Sequence, residues 1–258
     1  MFKELRVFFC IIQFCAALDI SSARLNANQS SENSKPRLSV MPMPDTNDGS
    51  TLIWLRPQNY QNWKNILLKD LDKYYHPKTT ENVTTVVCTH NRKPTKGQVC
   101  DVDIREWDIC SKENNFNYHR SAPCVFLKLN GLTDGWQPEY YNNTDDLPYD
   151  MPPELKHHII HEITNPPKRN TVWVSCEGEY PVDVEFLGHI EYYPIQGFPG
   201  YYFPHKNLEG YLSPLLAVQF KRPRYGVVIN IECRAWAKNI KYNRTDRSGS
   251  VHFELLLD

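Results

Sequence analysis

The chain has 258 residues, and 29 lysines and arginines against 30 aspartates and glutamates give it a formal net charge of -1. This near-neutral balance gives no reason to expect a nucleic-acid partner, and 41% hydrophobic with 23% charged residues excludes an intrinsically disordered chain. The 19 prolines and 15 tyrosines favour strands and long loops over helices.

Residues 1–24 are predicted to be a short hydrophobic signal or anchor segment. The run from Val7 to Ile20 is mostly apolar and includes Cys10 and Cys15. As a helix it would span roughly 21 Å, less than a hydrocarbon core of about 30 Å. It is therefore either a signal peptide cleaved near Ala23 or a signal anchor that stays in the membrane. Both alternatives place the rest of the chain outside the cytoplasm.

Residues 25–50 are predicted to be a polar stalk, because they are rich in Ser, Asn and Pro. Residues 51–258 are predicted to form the extracellular domain. It contains one convincing helix, from Asn59 to His76, whose apolar residues recur every three or four positions. Asn59 suits the start of this helix and Pro77 ends it.

Beyond Glu81 the apolar residues alternate with a period of two, which predicts strands. The alternation is clearest at four places: Val125 to Leu129, Val172 to Cys176, Val227 to Ala235 and Val251 to Leu257. The segment from Asp134 to Lys168 is rich in Pro, Asp and Asn and is predicted to be loop. The expected architecture is a mainly β sandwich that carries one amphipathic helix and long loops.

Six cysteines lie outside the apolar run: Cys88, Cys100, Cys110, Cys124, Cys176 and Cys233. An even number after a targeting segment predicts disulfides in an oxidising compartment. No pair among these six has the Cys-x2–4-Cys spacing of a zinc site. Spacing alone leaves all pairings open.

Four Asn-x-Ser/Thr acceptors are predicted as glycosylation sites, at Asn28, Asn82, Asn142 and Asn243. Together with the six cysteines and the apolar N-terminus they favour an extracellular glycoprotein.

No catalytic, cofactor or metal site is predicted. His157, His158 and His161 form a local cluster, but it lies in the segment expected to be loop, and a solvated loop is the preferred interpretation. A secreted hydrolase would depend on this cluster alone. The sequence has no Gly-x-Ser-x-Gly, no phosphate-binding glycine loop and no His-Glu-x-x-His.

The segment from Tyr192 to Pro204 is rich in tyrosine and phenylalanine and is interrupted by prolines. Large aromatic area on a proline-stiffened segment is typical of a protein interface, and core packing between sheets is the alternative for any single ring.

Six stretches of the chain carry a family resemblance: Val99–Cys110, Pro123–Asn130, Val172–Gly178, Gly197–Pro204, Tyr211–Phe220 and Ile231–Ala237. They resemble the β subunits of Na+,K+- and H+,K+-ATPases, closest to the insect nervana-type forms. The resemblance covers about Ser39 to Asp258, with all six cysteines in family order. The family's long membrane span with tyrosines has no counterpart in the apolar run here.

The resemblance implies an immunoglobulin-like β-sandwich with sequential bridges Cys88–Cys100, Cys110–Cys124 and Cys176–Cys233. It implies a non-catalytic subunit that assists the folding, trafficking and K+ affinity of a P-type ATPase α subunit. It places Tyr201, Tyr202, Phe203 and Pro204 at the partner interface. The implied location is the plasma membrane, as a single-pass type II protein attached through the N-terminal segment. The alternative is a secreted or cell-surface adhesion module without pump function.

Overall fold

Two β-sheets and a short ribbon make up the computed structural model of the chain, which describes residues 35–44, 49–78 and 83–258. The strands are β1 (Arg37–Met41), β2 (Leu52–Leu55), β3 (Thr84–Val86), β4 (Gln98–Cys100), β5 (Cys124–Asn130), β6 (Thr171–Gly178), β7 (Ile190–Tyr193), β8 (Gly197–Pro199), β9 (Leu215–Phe220), β10 (Val228–Trp236) and β11 (Ser250–Leu257). The prediction of a mainly β fold is confirmed.

The first sheet has the order β1-β5-β9-β7 and is antiparallel throughout. The second has the order β2-β11-β10-β6-β8, in which only the β2–β11 pair is parallel. Strands β3 and β4 form a separate parallel ribbon.

The two sheets share one core. Phe220 of the first sheet and Phe253 of the second are both fully buried, and their ring centroids lie 6.1 Å apart. On β6, Val172 and Val174 point into this core, whereas Trp173 packs on the opposite face of the second sheet. The period-two alternation of the sequence therefore separates two packed faces, as in a sandwich.

Three α-helices occur among the described residues: α1 (Tyr60–Tyr75), α2 (Pro153–Ile163) and α3 (Pro181–Leu187). Helix α1 confirms the prediction over Asn59 to His76 and buries Trp63, Leu67, Leu71 and Tyr74. Helices α2 and α3 were not predicted, so the expectation of one helix is wrong.

The prediction of loop from Asp134 to Lys168 is wrong where α2 lies. Proline at the start of this helix is favourable, because its missing N–H would have no helical partner there. Leu155, Ile159 and Ile163 recur every four residues and pack against Trp173 and Trp236 on the outer face of the second sheet.

Strand β1 lies inside the segment predicted as stalk. It pairs with β5 from Arg37↔Asn130 to Met41↔Phe126, and Leu38 and Val40 are buried. The stalk prediction is therefore wrong for residues 37–41, which belong to the first sheet. The predicted signal or anchor segment of residues 1–24 lies outside the described residues. Within the described part of the chain, no helix has the length and apolarity that crossing a membrane requires.

Among the described residues the disulfides are Cys88–Cys100, Cys110–Cys124 and Cys176–Cys233, the pairs that the resemblance implies. Cys176 and Cys233 are direct partners on the neighbouring strands β6 and β10. This bridge therefore lies within one sheet, unlike the bridge of antibody domains, which joins two sheets.

Candidate partner-binding surface

The aromatic segment that follows β8 lies against the ribbon of β3 and β4. Gly200, Tyr201 and Tyr202 form one turn of 3-10 helix. The carbonyl oxygen of Tyr201 lies 3.4 Å from Cys100 Sγ, so the Cys88–Cys100 bridge is directly beneath the turn. A covalent link thus fixes the platform on which the two tyrosines rest.

The turn needs glycine at position 200. A Cβ there would lie 2.5 Å from the carbonyl oxygen of Asn170 and 2.8 Å from the hydroxyl of Tyr140. Backbone cannot yield as a flexible side chain does, so a larger residue would push the turn away from its support.

The tyrosines hold the segment through side-chain contacts. The rings of Tyr201 and Tyr202 lie 4.6 Å apart, and His90 meets Tyr201 edge-on at 5.2 Å. Tyr202 donates its hydroxyl to the carbonyl oxygen of Asp101 at 3.3 Å, and Tyr211 donates to that of Tyr202 at 3.4 Å.

Burial raises the pKa of the Tyr201, Tyr202 and Tyr211 hydroxyls above the ordinary value. The three side chains therefore stay neutral across the physiological pH range. They offer apolar area with no charge of their own, and the hydroxyl protons of Tyr202 and Tyr211 are already donated within the surface.

Phe203 and Pro204 lie in different environments although they are neighbours. Phe203 is 4% exposed and meets Trp136 edge-on at 5.7 Å, whereas Pro204 is exposed. Two backbone hydrogen bonds connect this segment to the loop that follows β5. They run from His205 N to Trp136 O and from Gly135 N to His205 O. Phe203 therefore anchors the segment, and its neighbours supply most of the exposed area.

A groove of about 270 Å³ runs beside this segment. Tyr202, Pro204 and Tyr211 form one part of its lining, and Lys93 and Lys206 add positive charge. We call the groove together with Tyr201 the aromatic surface. Its remaining lining residues are Pro94, Gln98, Val99, Cys100, Gln137 and Phe203.

Sequence reasoning missed Lys93, Lys206 and the ribbon residues of this surface. Arg92, Lys93 and Lys96 are all exposed in the loop that the Cys88–Cys100 bridge closes. Three basic residues inside a short disulfide loop were a usable signal, but only the fold brings one of them, Lys93, into the groove with Pro204.

The described acceptor asparagines, Asn142 and Asn243, are both exposed. Each follows a tyrosine, and both tyrosines, Tyr141 and Tyr242, line one pocket around Arg234. The Arg234 guanidinium lies 3.7 Å from the ring centroid of Tyr242 and 4.0 Å from that of Trp236. The pocket lining shares no residue with the groove of the aromatic surface. Asn28 and Asn82 lie outside the described residues.

The three histidines expected in a solvated loop lie on helix α2. His158 is half-buried and meets Trp173 edge-on at 5.5 Å, and this burial lowers its pKa. His157 and His161 are exposed. The structure thus separates one packed histidine from two at the surface.

Comparison with known proteins places residues 5–253 within the model of a family described as the sodium/potassium ATPase beta chain. The chain is 49% identical over 261 aligned positions to sodium/potassium-transporting ATPase subunit beta-2 of Drosophila melanogaster, covering 98% of this chain and 80% of that protein. It is 40% identical over 228 positions to subunit beta-1 of the same organism, covering 86% and 71%. Subunit beta-1 of Tetronarce californica is 28% identical over 211 positions, covering 74% and 65%.

Proposed function

The chain belongs to the sodium/potassium ATPase beta chain family, and on that premise we propose that it is a non-catalytic β subunit of a Na+/K+-exchanging P-type ATPase. Its partner is the α subunit, which carries out ATP hydrolysis and ion transport. The β subunit assists the folding and trafficking of the α subunit and changes its apparent K+ affinity. A secreted adhesion module is not favoured, because the relatives compared are named as subunits of sodium/potassium-transporting ATPases.

The aromatic surface is the part of the domain that contacts the α subunit. The groove beside Tyr202 and Pro204 supports this assignment, because it combines aromatic area with a rigid base. Tyrosines held by hydrogen bonds lose little side-chain entropy on binding. Lys93 and Lys206 favour a partner segment that carries acidic side chains.

An effect on K+ affinity requires that the β subunit bind one conformation of the pump more tightly than another. The aromatic surface is suited to this task because its platform is cross-linked and does not adapt readily to both conformations. The difference in binding free energy between the two conformations sets the size of the effect.

The proposal also assigns a role to the predicted N-terminal segment. Residues 1–24 remain as a signal anchor, so the protein is a single-pass type II protein of the plasma membrane with its C-terminal domain outside. The mature N-terminus, measured by mass spectrometry, tests this part. A chain that retains Val7 to Ile20 supports an anchor, and one that begins near Arg24 supports secretion.

Co-purification with an α subunit tests the partnership. We expect a sodium/potassium-transporting ATPase α chain to co-purify with the co-expressed wild-type protein in mild detergent, and charge reversal by K93E together with K206E to reduce its recovery. Lys241 is exposed and lies outside the groove, so K241E is the matched control. Failure of the wild-type protein to retain any α chain would refute the partnership. Equal loss with K241E would refute only the assigned surface.

A further inference from the structure

Helix α2 presents two histidines to solvent on one face. His157 and His161 are four positions apart, so their side chains lie one above the other. Both are exposed, and the imidazole of His161 is 87% accessible. Leu155, Ile159 and Ile163 hold the opposite face of the helix against the second sheet. The backbone that carries the histidines is therefore fixed by packing.

Two histidines at this spacing on a helix can bring one nitrogen each to a single metal ion, the arrangement on which helical zinc sites are built. We propose that His157 and His161 form a binding site for a divalent ion of the late first transition row, Cu²⁺ or Zn²⁺. Imidazole nitrogen suits these ions, and the usual order of stabilities favours Cu²⁺ over Zn²⁺. Calcium and magnesium prefer oxygen ligands and do not bind here.

Glu162 lies beside one of the two ligands, His161. Its Oε1 lies 3.6 Å from His161 Nδ1, and its Oε2 lies 2.8 Å from Lys168 Nζ. The side chain of Glu162 is only 17% accessible, so it does not swing freely. A small rotation of His161 would bring Nδ1 within hydrogen-bond distance of this carboxylate and leave Nε2 as the metal ligand, as in the carboxylate–histidine–metal arrangement.

The protein supplies two ligands and water completes the coordination. Within the residues that the structure describes, no group of three or more His, Cys, Asp or Glu is arranged to hold a metal ion. His158 does not join the pair, because it packs against Trp173. The site is therefore open to solvent and to a further ligand from outside.

Metal binding stabilises helix α2 in place. The two histidines are close only while the helix is formed, so an ion that bridges them binds the folded state and not the unfolded chain. The helix covers Trp173 and Trp236, so its added stability reaches the outer face of the second sheet. We expect the melting temperature to rise with the concentration of Cu²⁺ or Zn²⁺.

Isothermal titration of the purified full chain, free of any histidine tag, tests the site with Cu²⁺ and Zn²⁺. We expect saturable 1:1 binding in the wild-type protein, tighter for Cu²⁺, and its loss in both H157A and H161A. His189 is a surface histidine outside the helix, with a side chain that is 72% accessible, so H189A is the matched control and should bind as the wild type does. The electron paramagnetic resonance spectrum of bound Cu²⁺ should show two nitrogen ligands.

Circular dichroism of each variant establishes that the fold is retained, since both replaced side chains are exposed. The proposal is overturned if H157A and H161A bind Cu²⁺ as tightly as the wild-type protein. It is equally overturned if H189A removes binding, or if the wild-type protein shows no saturable binding of either ion.

Discussion

The sheet core and the aromatic surface are held together in different ways. The core depends on strands whose successive side chains pack on opposite faces of a sheet. Both faces of β9 are covered, so every one of its residues is buried, and Phe220 at its end meets Phe253 of the other sheet. The aromatic surface has little regular secondary structure and depends on the Cys88–Cys100 bridge, Gly200 and hydrogen bonds from tyrosines. The proposed binding surface is thus fixed by individual links, whereas the core is stabilised mainly by repeated packing.

The largest effect is expected in the core. F253A removes a fully buried ring between the sheets, so the free energy of unfolding should fall by about 3–5 kcal/mol. Urea denaturation measures it, and Y225A is the control because Tyr225 is 57% exposed and should change stability by less than about 0.5 kcal/mol. A loss for F253A no larger than that of Y225A would mean that the sheets do not pack as described.

Removing two of the disulfides one at a time distinguishes the roles of the core and of the aromatic surface. Cys176–Cys233 closes a separation of 57 residues and Cys88–Cys100 one of 12, so the chain-entropy model predicts losses of about 4 and about 3 kcal/mol. Double serine variants of each pair, compared by denaturation and by α-chain recovery, measure both consequences.

We expect the smaller loss of stability, from the Cys88–Cys100 pair, to be accompanied by the greater loss of α-chain recovery. The reverse order of recovery would contradict the separation of a stabilising core from a binding surface.

A smaller effect should follow from a single hydrogen bond of the aromatic surface. Y202F removes the donor to the carbonyl oxygen of Asp101 and should lower stability by about 0.5–1.5 kcal/mol. Y225F is the matched control. If the two variants have the same stability, the hydroxyl of Tyr202 does not hold the segment.

The smallest effect should appear in the pH dependence of stability contributed by Glu179, which follows the end of β6. Burial raises the pKa of Glu179, but hydrogen bonds from Arg244 and Arg247 and the charge of His252 outweigh it, so the net pKa lies below the ordinary 4.5. Because the pKa is lowered in the folded state, the ionised Glu179 stabilises the fold. This contribution to the free energy of unfolding is present above pH 4.5 and is lost as the pH falls through the folded-state pKa.

Urea denaturation at several acidic pH values should therefore show a shallower loss of stability for E179Q than for the wild-type protein. Parallel curves would mean that Glu179 is not stabilised by its basic neighbours.

The sequence was most informative where packing repeats. Helix α1 and strands β5, β6, β10 and β11 were predicted because apolar residues recur at one period over a whole element. Helix α2 was missed because prolines and acidic residues around it outweighed the spacing of Leu155, Ile159 and Ile163. Strand β1 was missed because its partner β5 lies far along the chain and the segment resembles the polar stretch before it.

The candidate surface was only partly predictable. Tyr201, Tyr202, Phe203 and Pro204 were predicted as contact residues from composition and family resemblance. The structure adds that Phe203 is largely buried whereas Pro204 is exposed. The lysines of the groove come from segments more than a hundred residues apart, Lys93 and Lys206, and no local pattern brings them together. Only the disulfide pairing and the tertiary fold do so.

Site-specific photocrosslinking tests the central claim most directly. A photoreactive amino acid at position 204 should form a covalent adduct with the co-expressed α subunit, because Pro204 is exposed at the groove. The same group at position 225, an exposed site outside the groove, should not form one. An adduct at 225 and none at 204 would contradict the claim that the aromatic surface binds the pump.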